Sequence, residues 1–155
     1  MELVILFDHH FYRTAGKTIY SPTSYSYTFF KERYLSVFDS VTVVARVADV
    51  PADKVLDHQP TEGPGVKVFD LGEWTGAWGF LKSRHTIVNA AERFMDRGAA
   101  FVMIVPGCVA SLAFSHLARR NYPFAVEVVG DPWNSLSPGA NSHPLRPMRV
   151  RSRRC

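Results

Sequence analysis

The sequence predicts an α/β fold built on a parallel sheet of about five strands, with helices on both faces. Two observations lead to this prediction. Short continuous apolar runs, bounded by turn residues, are typical of strands that are buried on both faces. Amphipathic helical patterns separate these runs, and strands that alternate with helices are typical of βαβ units. The length of 155 residues, with 46% apolar and 21% charged residues, suits a single globular domain.

The strand pattern occurs five times along the chain. The five runs are residues 3–7, 41–47, 66–69, 101–105 and 124–129. Pro106 and Gly107 follow the fourth run, and Gly130 follows the fifth, which places turn residues at both strand ends. The connection from residue 48 to residue 65 contains Pro51, Pro60 and Pro64, so we expect only a short helix there.

Apolar residues at helical spacing predict three helices between the strands. The first carries Phe30, Tyr34 and Val37, with Thr23 or Ser24 as its cap; the second carries Ile87, Ala90, Ala91, Phe94 and Met95 and ends at Gly98; the third carries Val109, Leu112, Ala113, His116 and Leu117 and ends at Arg119 and Arg120. This spacing places each set on one face of its helix. Glycine and basic residues are both favoured at helix C-termini.

The basic charge of the chain is concentrated at its C-terminal end. The formal net charge is +4, and five arginines follow the last acidic residue, Asp131. Without those arginines the chain would be slightly acidic. A nucleic-acid-binding protein usually carries its basic residues across a folded face, so we expect no nucleic-acid partner.

The cysteine content and the N-terminal segment predict a cytoplasmic protein. Cys108 and Cys155 are too few for a disulfide framework, which favours a reducing compartment. The N-terminus lacks the basic segment and the long apolar stretch of a signal peptide. No run approaches the roughly 18 apolar residues of a membrane-spanning helix, so we expect any membrane contact to be peripheral, on the inner face.

The ends of three predicted strands supply the candidate site residues. Ligands of open parallel sheets bind at the carboxyl ends of the strands, where the strand order reverses. With a strand order of 3-2-1-4-5, the first and fourth strands flank this point and their loops face one crevice. The candidates are Asp8, His9 and His10 after the first strand, Pro106 and Gly107 after the fourth, and Glu127, Gly130, Asp131 and Trp133 in and after the fifth.

Several candidates also have a purely structural interpretation. Asp8 would cap a turn and the two histidines would be solvated, instead of accepting a proton or binding a ligand hydroxyl. Glu127, a carboxylate in an apolar strand, either serves the site or pairs with an arginine at the sheet edge. His116 lies on an apolar helix face, where we expect a core histidine with a hydrogen-bond partner.

Two other kinds of site are not supported by the sequence. Gly16, Lys17 and Thr18 match the end of a P-loop, but Phe11 stands where its first glycine is required. The histidines and cysteines lack metal-binding spacing, so we expect no metal site. The residues alone assign no catalytic group.

The last third of the chain resembles a known enzyme family. The run PFAVEVVGDPW at residues 123–133 is followed by Ser-Pro-Gly at residues 137–139 and by HPLRP at residues 143–147. These motifs are similar to those of bacterial group 1 glycosyltransferases (family 4), which have the GT-B fold. The segments 38–46 and 105–107 resemble the same family. The resemblance implies that residues 1–147 form a Rossmann-like N-terminal domain, one half of a GT-B architecture, and that residues 148–155 begin an Arg-rich helix.

The resemblance also implies a function. In this family the N-terminal domain binds the acceptor, and the C-terminal domain binds a nucleotide-sugar donor. The chain would then be the acceptor-side domain of a hexosyltransferase-like enzyme whose donor domain is absent. It would hold no cofactor itself and would be inactive alone, and its acceptor would be a sugar, a lipid-linked sugar or a polysaccharide.

Individual residues can be matched to the family motifs. Glu127 stands in the V-E-V-V-G motif, while Asp131, Pro132 and Trp133 stand in the G-D-P-W motif. The resemblance implies that these residues line or brace the acceptor side of a cleft. The tail arginines are either a solvated basic face or a contact to anionic lipid headgroups. The arginines concerned are Arg149, Arg151, Arg153 and Arg154.

Two further functions remain open at the level of sequence. Five strands in one domain would also suit a stand-alone flavodoxin-like module that binds a nucleotide or another ligand without catalysis. The basic tail would suit a non-catalytic domain that docks on a membrane surface or a protein.

Overall fold

The computed structural model describes residues 1–130, which contain ten regular elements. The strands are β1 (Glu2–Arg13), β2 (Ile19–Ser21), β3 (Ser40–Asp49), β4 (Gln59–Pro60), β5 (Val66–Asp70), β6 (Ala100–Val105) and β7 (Ala125–Val128). The helices are α1 (Tyr27–Tyr34), α2 (Gly76–Met95) and α3 (Cys108–Arg119), and a short 3₁₀ turn spans Ala52–Val55. The predictions for Asp131, Trp133, the tail arginines and the boundary after residue 147 lie outside the described residues.

All seven described strands belong to one open, mixed sheet. Five of them run parallel in the order β5-β3-β1-β6-β7, which is the expected order 3-2-1-4-5 along the chain. The other two, β2 and β4, pair antiparallel beside the C-terminal end of β1. The prediction of a wholly parallel sheet was therefore wrong at this edge. Strands of two or three residues are too short to produce a readable apolar pattern.

The first strand is much longer than its apolar run. β1 continues through Asp8, His9 and His10 to Arg13, so the prediction that these residues form a loop was wrong. Pairing with the long strand β3 resumes after a bulge, because Leu6 faces Val44 and His10 faces Arg46. Three residues of β1 therefore lie opposite a single residue of β3. This bulge sits at the carboxyl edge of the neighbouring strand β6, and it carries Asp8 and His9.

The sheet separates two hydrophobic layers. Leu3 and Ile5 of β1 face a layer that includes Phe30 of α1. Val4 and Leu6 face the opposite layer, which α2 and α3 cover. Helices therefore lie on both faces, as predicted. Each fully buried side chain of this size contributes about 1.5–3 kcal/mol to folding, so the alternation along β1 fixes which face each helix covers.

The second and third helices follow their predicted apolar faces. Ile87, Ala90, Ala91 and Phe94 are buried in α2. The helix ends before Gly98, whose φ of +69° reverses the chain so that the N–H of Ala99 reaches the carbonyl of Phe94. Along α3, Val109, Ala113 and Leu117 are buried in the same layer. Among the described residues, no helix is long and apolar enough to cross a membrane.

The first helix differs from its prediction at both ends. It begins at Tyr27 after Ser26, not after Thr23 or Ser24, and it ends at Tyr34. Val37 lies beyond the helix and is 75% exposed, so it does not extend the buried face. The predicted stripe was correct only for Phe30 and Tyr34, because two apolar residues at helical spacing do not determine where a helix stops.

Candidate functional site

A shallow cleft lies between the bulge of β1 and the carboxyl end of β6, where the strand order reverses. Its volume is about 530 Å³, and it is open to solvent. The lining includes Asp8, Phe80, Pro106, Gly107, Cys108 and Ser111. The structure therefore brings together three residues that the sequence predicted for the site, namely Asp8, Pro106 and Gly107.

The carboxylate of Asp8 connects the bulge in β1 to the beginning of α3. Its Oδ2 accepts a hydrogen bond of 2.7 Å from the backbone N–H of Cys108, the first residue of α3. Its Oδ1 lies 2.7 Å from Nη2 of Arg46, and both side chains are mostly buried, with 17% and 15% exposed. Asp8 therefore supplies the negative charge that a helix N-terminus favours, and it does so from inside the chain. Fewer free backbone N–H groups at the start of α3 are therefore left to bind an anion from solution.

Gly107 allows this close approach. A Cβ atom on Gly107 would lie only 2.6 Å from the Cβ atom of Asp8. Any side chain at residue 107 would therefore push β1 away from the start of α3. The turn after β6 needs glycine for space at this point, in addition to its value as a turn residue.

Arg46 is a site residue that sequence reasoning missed. Its Nη1 donates to the carbonyl oxygen of Trp74 at 3.3 Å, and its guanidinium lies 5.4 Å from the centre of the Trp74 ring. Its Nε has no hydrogen-bond partner among the described residues. A signal was present in the sequence, because Arg46 is a charge inside the apolar run at residues 41–47. A buried arginine needs a carboxylate, and Asp8 provides it.

His9 points away from Asp8 into an aromatic cluster. Its ring stacks on Phe7 at 5.1 Å and meets Phe11 and Tyr25 edge-on at 4.8 and 5.2 Å. Burial, followed by the nearby charges of His10 and Arg46, lowers the pKa of His9 from 6.5 to about 4. The ring is therefore neutral at pH 7, and its Nε2 has no partner among residues 1–130. The interpretation of a solvated histidine was wrong for His9.

His10 and the end of β7 lie apart from the lining of the cleft. Nδ1 of His10 is 3.5 Å from Oε1 of Glu73, and its side chain is 35% exposed. Glu127 binds Nη2 of Arg33 at 2.8 Å and accepts a hydrogen bond of 3.1 Å from the hydroxyl of Tyr34. Glu127 thus takes the arginine-paired form that the sequence left open. Burial and the Glu127 carboxylate raise the pKa of Tyr34 to about 12.

A second charged cluster ties three strand ends together. Nε of Arg13 in β1 lies 2.7 Å from Oδ1 of Asp49 in β3, and its Nη1 lies 2.7 Å from Oδ2 of Asp70 in β5. The hydrogen bond from Arg13 holds the pKa of Asp49 below its usual value. This cluster braces the carboxyl ends of β1, β3 and β5, outside the lining of the cleft. It was not predicted, because its three members are distant in the sequence.

Two remaining predictions concern histidines and metals. His116 lies half-buried on α3, and its Nε2 is 3.1 Å from Oε1 of Glu92 on α2. This contact lacks hydrogen-bond geometry, and Nε2 has no hydrogen-bond partner among residues 1–130, so the partner expected for a core histidine is not found. Among the described residues, no group of three or more His, Cys, Asp or Glu side chains is placed to hold a metal ion.

The geometry of the cleft suits a polar ligand that is held at one end. The polar groups of the cleft are the fixed carboxylate of Asp8, the hydroxyl of Ser111 and the exposed thiol of Cys108. Phe80 and Leu112 form an apolar part of its wall. Gly130 follows β7 with a φ of +74°, which turns the chain after the last described strand. Comparisons of this chain with known protein families, curated proteins and solved structures found no match.

Proposed function

We propose that this chain is the acceptor-side domain of a glycosyltransferase of the GT-B type, which takes its sugar from a nucleotide-sugar donor. The observation that carries the proposal is the cleft at the reversal point of the strand order, lined by Asp8, Pro106 and Gly107. Ligands of open α/β sheets bind at this position. The motifs at residues 123–133 and 143–147 supply the link to glycosyltransferases.

The shape of the cleft supports an enzyme made of two domains. About 530 Å³ of open groove on one domain would bury only one side of a sugar acceptor. A ligand site normally buries most of its ligand, so a second surface is required to close it. In the proposed enzyme this surface is the donor domain, which also stabilises the leaving diphosphate. The chain alone is then inactive.

The order of the parallel strands distinguishes this proposal from the alternative of a stand-alone flavodoxin-like module. The order 3-2-1-4-5 is that of the first five strands of a Rossmann sheet, whereas flavodoxin-like folds have the order 2-1-3-4-5. In this chain the third parallel strand, β5, lies at the outer edge beside β3, and β6 lies next to β1. This arrangement favours the Rossmann-like GT-B half over a flavin-binding module.

The site residues take different roles within the proposal. Asp8 binds an acceptor hydroxyl at the floor of the cleft, while Arg46 holds the carboxylate in place. Glu127 braces β7 against α1 through Arg33 and Tyr34, outside the cleft lining. Asp131 and Trp133 remain predicted acceptor-side residues, and the tail arginines remain a predicted membrane contact.

The proposal is tested first on the natural gene product. We expect an intact mass of roughly twice the 17.4 kDa of this chain, since a second domain of similar size is required. That product should release a nucleoside diphosphate from one member of a nucleotide-sugar panel when acceptor is present. A natural product without a donor domain or a partner chain, or without turnover of any nucleotide-sugar, contradicts the proposal.

A second experiment tests the cleft itself. Ser111→Trp places a large side chain in the cleft wall. We expect kcat/KM for the acceptor to fall at least tenfold, since a loss of about 1.4 kcal/mol in binding gives this factor. The KM for the donor should be unchanged. Ser36→Trp, at an exposed position after α1, is the matched control and should leave both values unchanged. Equal acceptor kinetics in the two variants would remove the cleft from the mechanism.

A further inference from the structure

The N-terminal half of α2 contributes only the half-buried Phe80 to the hydrophobic core. Ile87 is the first buried residue of this helix, so the eleven residues before it, about 16 Å of helix, contribute no buried side chain. Two large apolar side chains are exposed in this stretch. Trp78 is 78% exposed and Leu81 is 46% exposed.

These two residues share a face with basic side chains. Trp78, Leu81, Lys82 and His85 have the spacing i, i+3, i+4 and i+7, which places them on one side of the helix. All four are exposed, whereas Phe80 and Ser83 on the opposite side are half-buried. The exposed face is therefore a compact patch of an indole, an isobutyl group, a lysine ammonium group and an imidazole, here called the α2 patch.

The part of α2 that carries the patch has charged residues of one sign only. Residues 76–91 contain Lys82, which belongs to the patch, and Arg84 on its flank, but no aspartate or glutamate; Glu73 precedes the helix and Glu92 follows this stretch. The first turn of α2 also lacks acidic residues, although a helix N-terminus favours them. Neither basic side chain has an ion-pair partner among residues 1–130. An anionic surface would supply the missing negative charge.

We propose that the α2 patch binds an anionic lipid bilayer, with Trp78 and Leu81 inserted at the level of the headgroups and Lys82 and Arg84 among the lipid phosphates. Tryptophan is enriched at membrane interfaces, because its ring is apolar and its N–H is polar. A helix with Trp and Leu beside Lys and Arg is typical of interfacial attachment. A docking site for a folded protein would require acidic groups on the partner, but the bilayer presents a continuous negative surface.

The helix that carries the α2 patch also contributes to the cleft. Phe80 lines the cleft wall from the side of α2 that faces away from Trp78. Attachment through Trp78 would therefore leave the cleft about one helix diameter, roughly 10 Å, from the membrane surface. This site is distinct from the arginine tail, which lies outside the described residues, and it does not depend on the proposed glycosyltransferase activity.

Vesicle co-sedimentation of the full chain tests the α2 patch. We expect the unsubstituted chain to partition into phosphatidylcholine vesicles containing phosphatidylserine and only weakly into phosphatidylcholine alone. Trp78→Ser with Leu81→Ser should lower the partition coefficient at least tenfold. Lys82→Gln with Arg84→Gln should lower it roughly fivefold per charge and reduce the preference for phosphatidylserine.

Matched substitutions separate the patch from general surface hydrophobicity. Val37 and Leu56 are 75% and 81% exposed and lie outside α2, so Val37→Ser with Leu56→Ser should leave partitioning unchanged. Urea unfolding should show that every variant remains folded, because all the substituted positions are exposed. If the variant with Trp78→Ser and Leu81→Ser partitions as strongly as the unsubstituted chain, the binding belongs to the tail and the proposal is overturned. Loss of a dimer in sedimentation velocity, without loss of vesicle binding, would assign the patch to a protein contact instead.

Discussion

Asp8 and His9 are adjacent in the sequence, but their side chains lie in different environments. Asp8 faces α3 and is held by Arg46 and by the N–H of Cys108. His9 faces the α1 layer among aromatic rings and is kept neutral by burial. Alternation along a strand produces this separation. A pair of polar residues at a strand end therefore cannot be assumed to act together.

The neutral state of His9 predicts a specific pH dependence. The pKa is about 4 in the folded protein and 6.5 when unperturbed, so between these values the unfolded chain binds more protons and stability falls as the pH is lowered. His9→Phe removes this effect and suits the aromatic cluster. We compare the free energy of unfolding of this variant with that of the unsubstituted chain, both measured with urea. The difference, variant minus unsubstituted, should rise by about 1–2 kcal/mol when the pH is lowered from 7 to 5, after allowing for partial exposure of the ring.

A control places the same aromatic side chain outside the core. Thr86 is exposed on α2 and does not titrate, so Thr86→Phe should show a difference from the unsubstituted chain that does not change with pH. Direct titration of the His9 ring by NMR should give a pKa near 4. A His9 pKa near 6.5, or a stability difference independent of pH, would show that the ring is solvated.

At the scale of elements, apolar patterns predicted the five parallel strands and the buried faces of α2 and α3. These elements are specified locally, since each residue of the pattern contacts the same layer. The end of β1, the strands β2 and β4, and the Arg46 contact were not predictable in this way. They depend on pairing with distant residues, such as His10 with Arg46, that leave no periodic signal.

The junction of β1 and α3 gives a prediction at this scale. Gly107→Ala introduces a Cβ atom 2.6 Å from Cβ of Asp8, so the two elements must separate. We expect a loss of about 1–3 kcal/mol in the free energy of unfolding, measured with urea.

Gly16→Ala is the matched control for that substitution. The nearest atom to its added Cβ is 3.8 Å away, and the position is exposed, so stability should be unchanged or slightly higher. Equal stability of the two alanine variants would mean that β1 and α3 do not require the close approach.

At the scale of the whole molecule, β1 is the centre of the sheet and β7 is an edge. β1 pairs with β3 and β6 along its buried half, whereas β7 pairs with β6 alone among the described strands. Val126 and Val128 of β7 are 49% and 64% exposed. The order 3-2-1-4-5 entered the sequence analysis only as an assumption, because apolar runs do not show which strands are neighbours. The exposure of β7 depends in the same way on its place in the sheet and is not encoded in its apolar sequence.

Hydrogen exchange should reflect this arrangement. We expect the slowest amide exchange in residues 3–6 of β1 and their partners in β3, and much faster exchange in β7 and in the short strands β2 and β4. NMR or mass spectrometry of the native protein measures this order. Exchange in β7 as slow as in β1 would show that another surface covers the edge.

The bulge in β1 has a consequence for how this region tolerates change in length. Leu6 pairs with Val44 and His10 with Arg46, so β1 carries two more residues than β3 between these pairs. Because side chains alternate with a period of two, an even number of extra residues leaves both layers of the core in register. Adding two residues here would lengthen the bulge without turning Phe11 out of the core, whereas adding one would exchange the faces of everything after it. The strand thus contains a position beside the cleft where a pair of residues can be accommodated while both layers of the core keep their side chains.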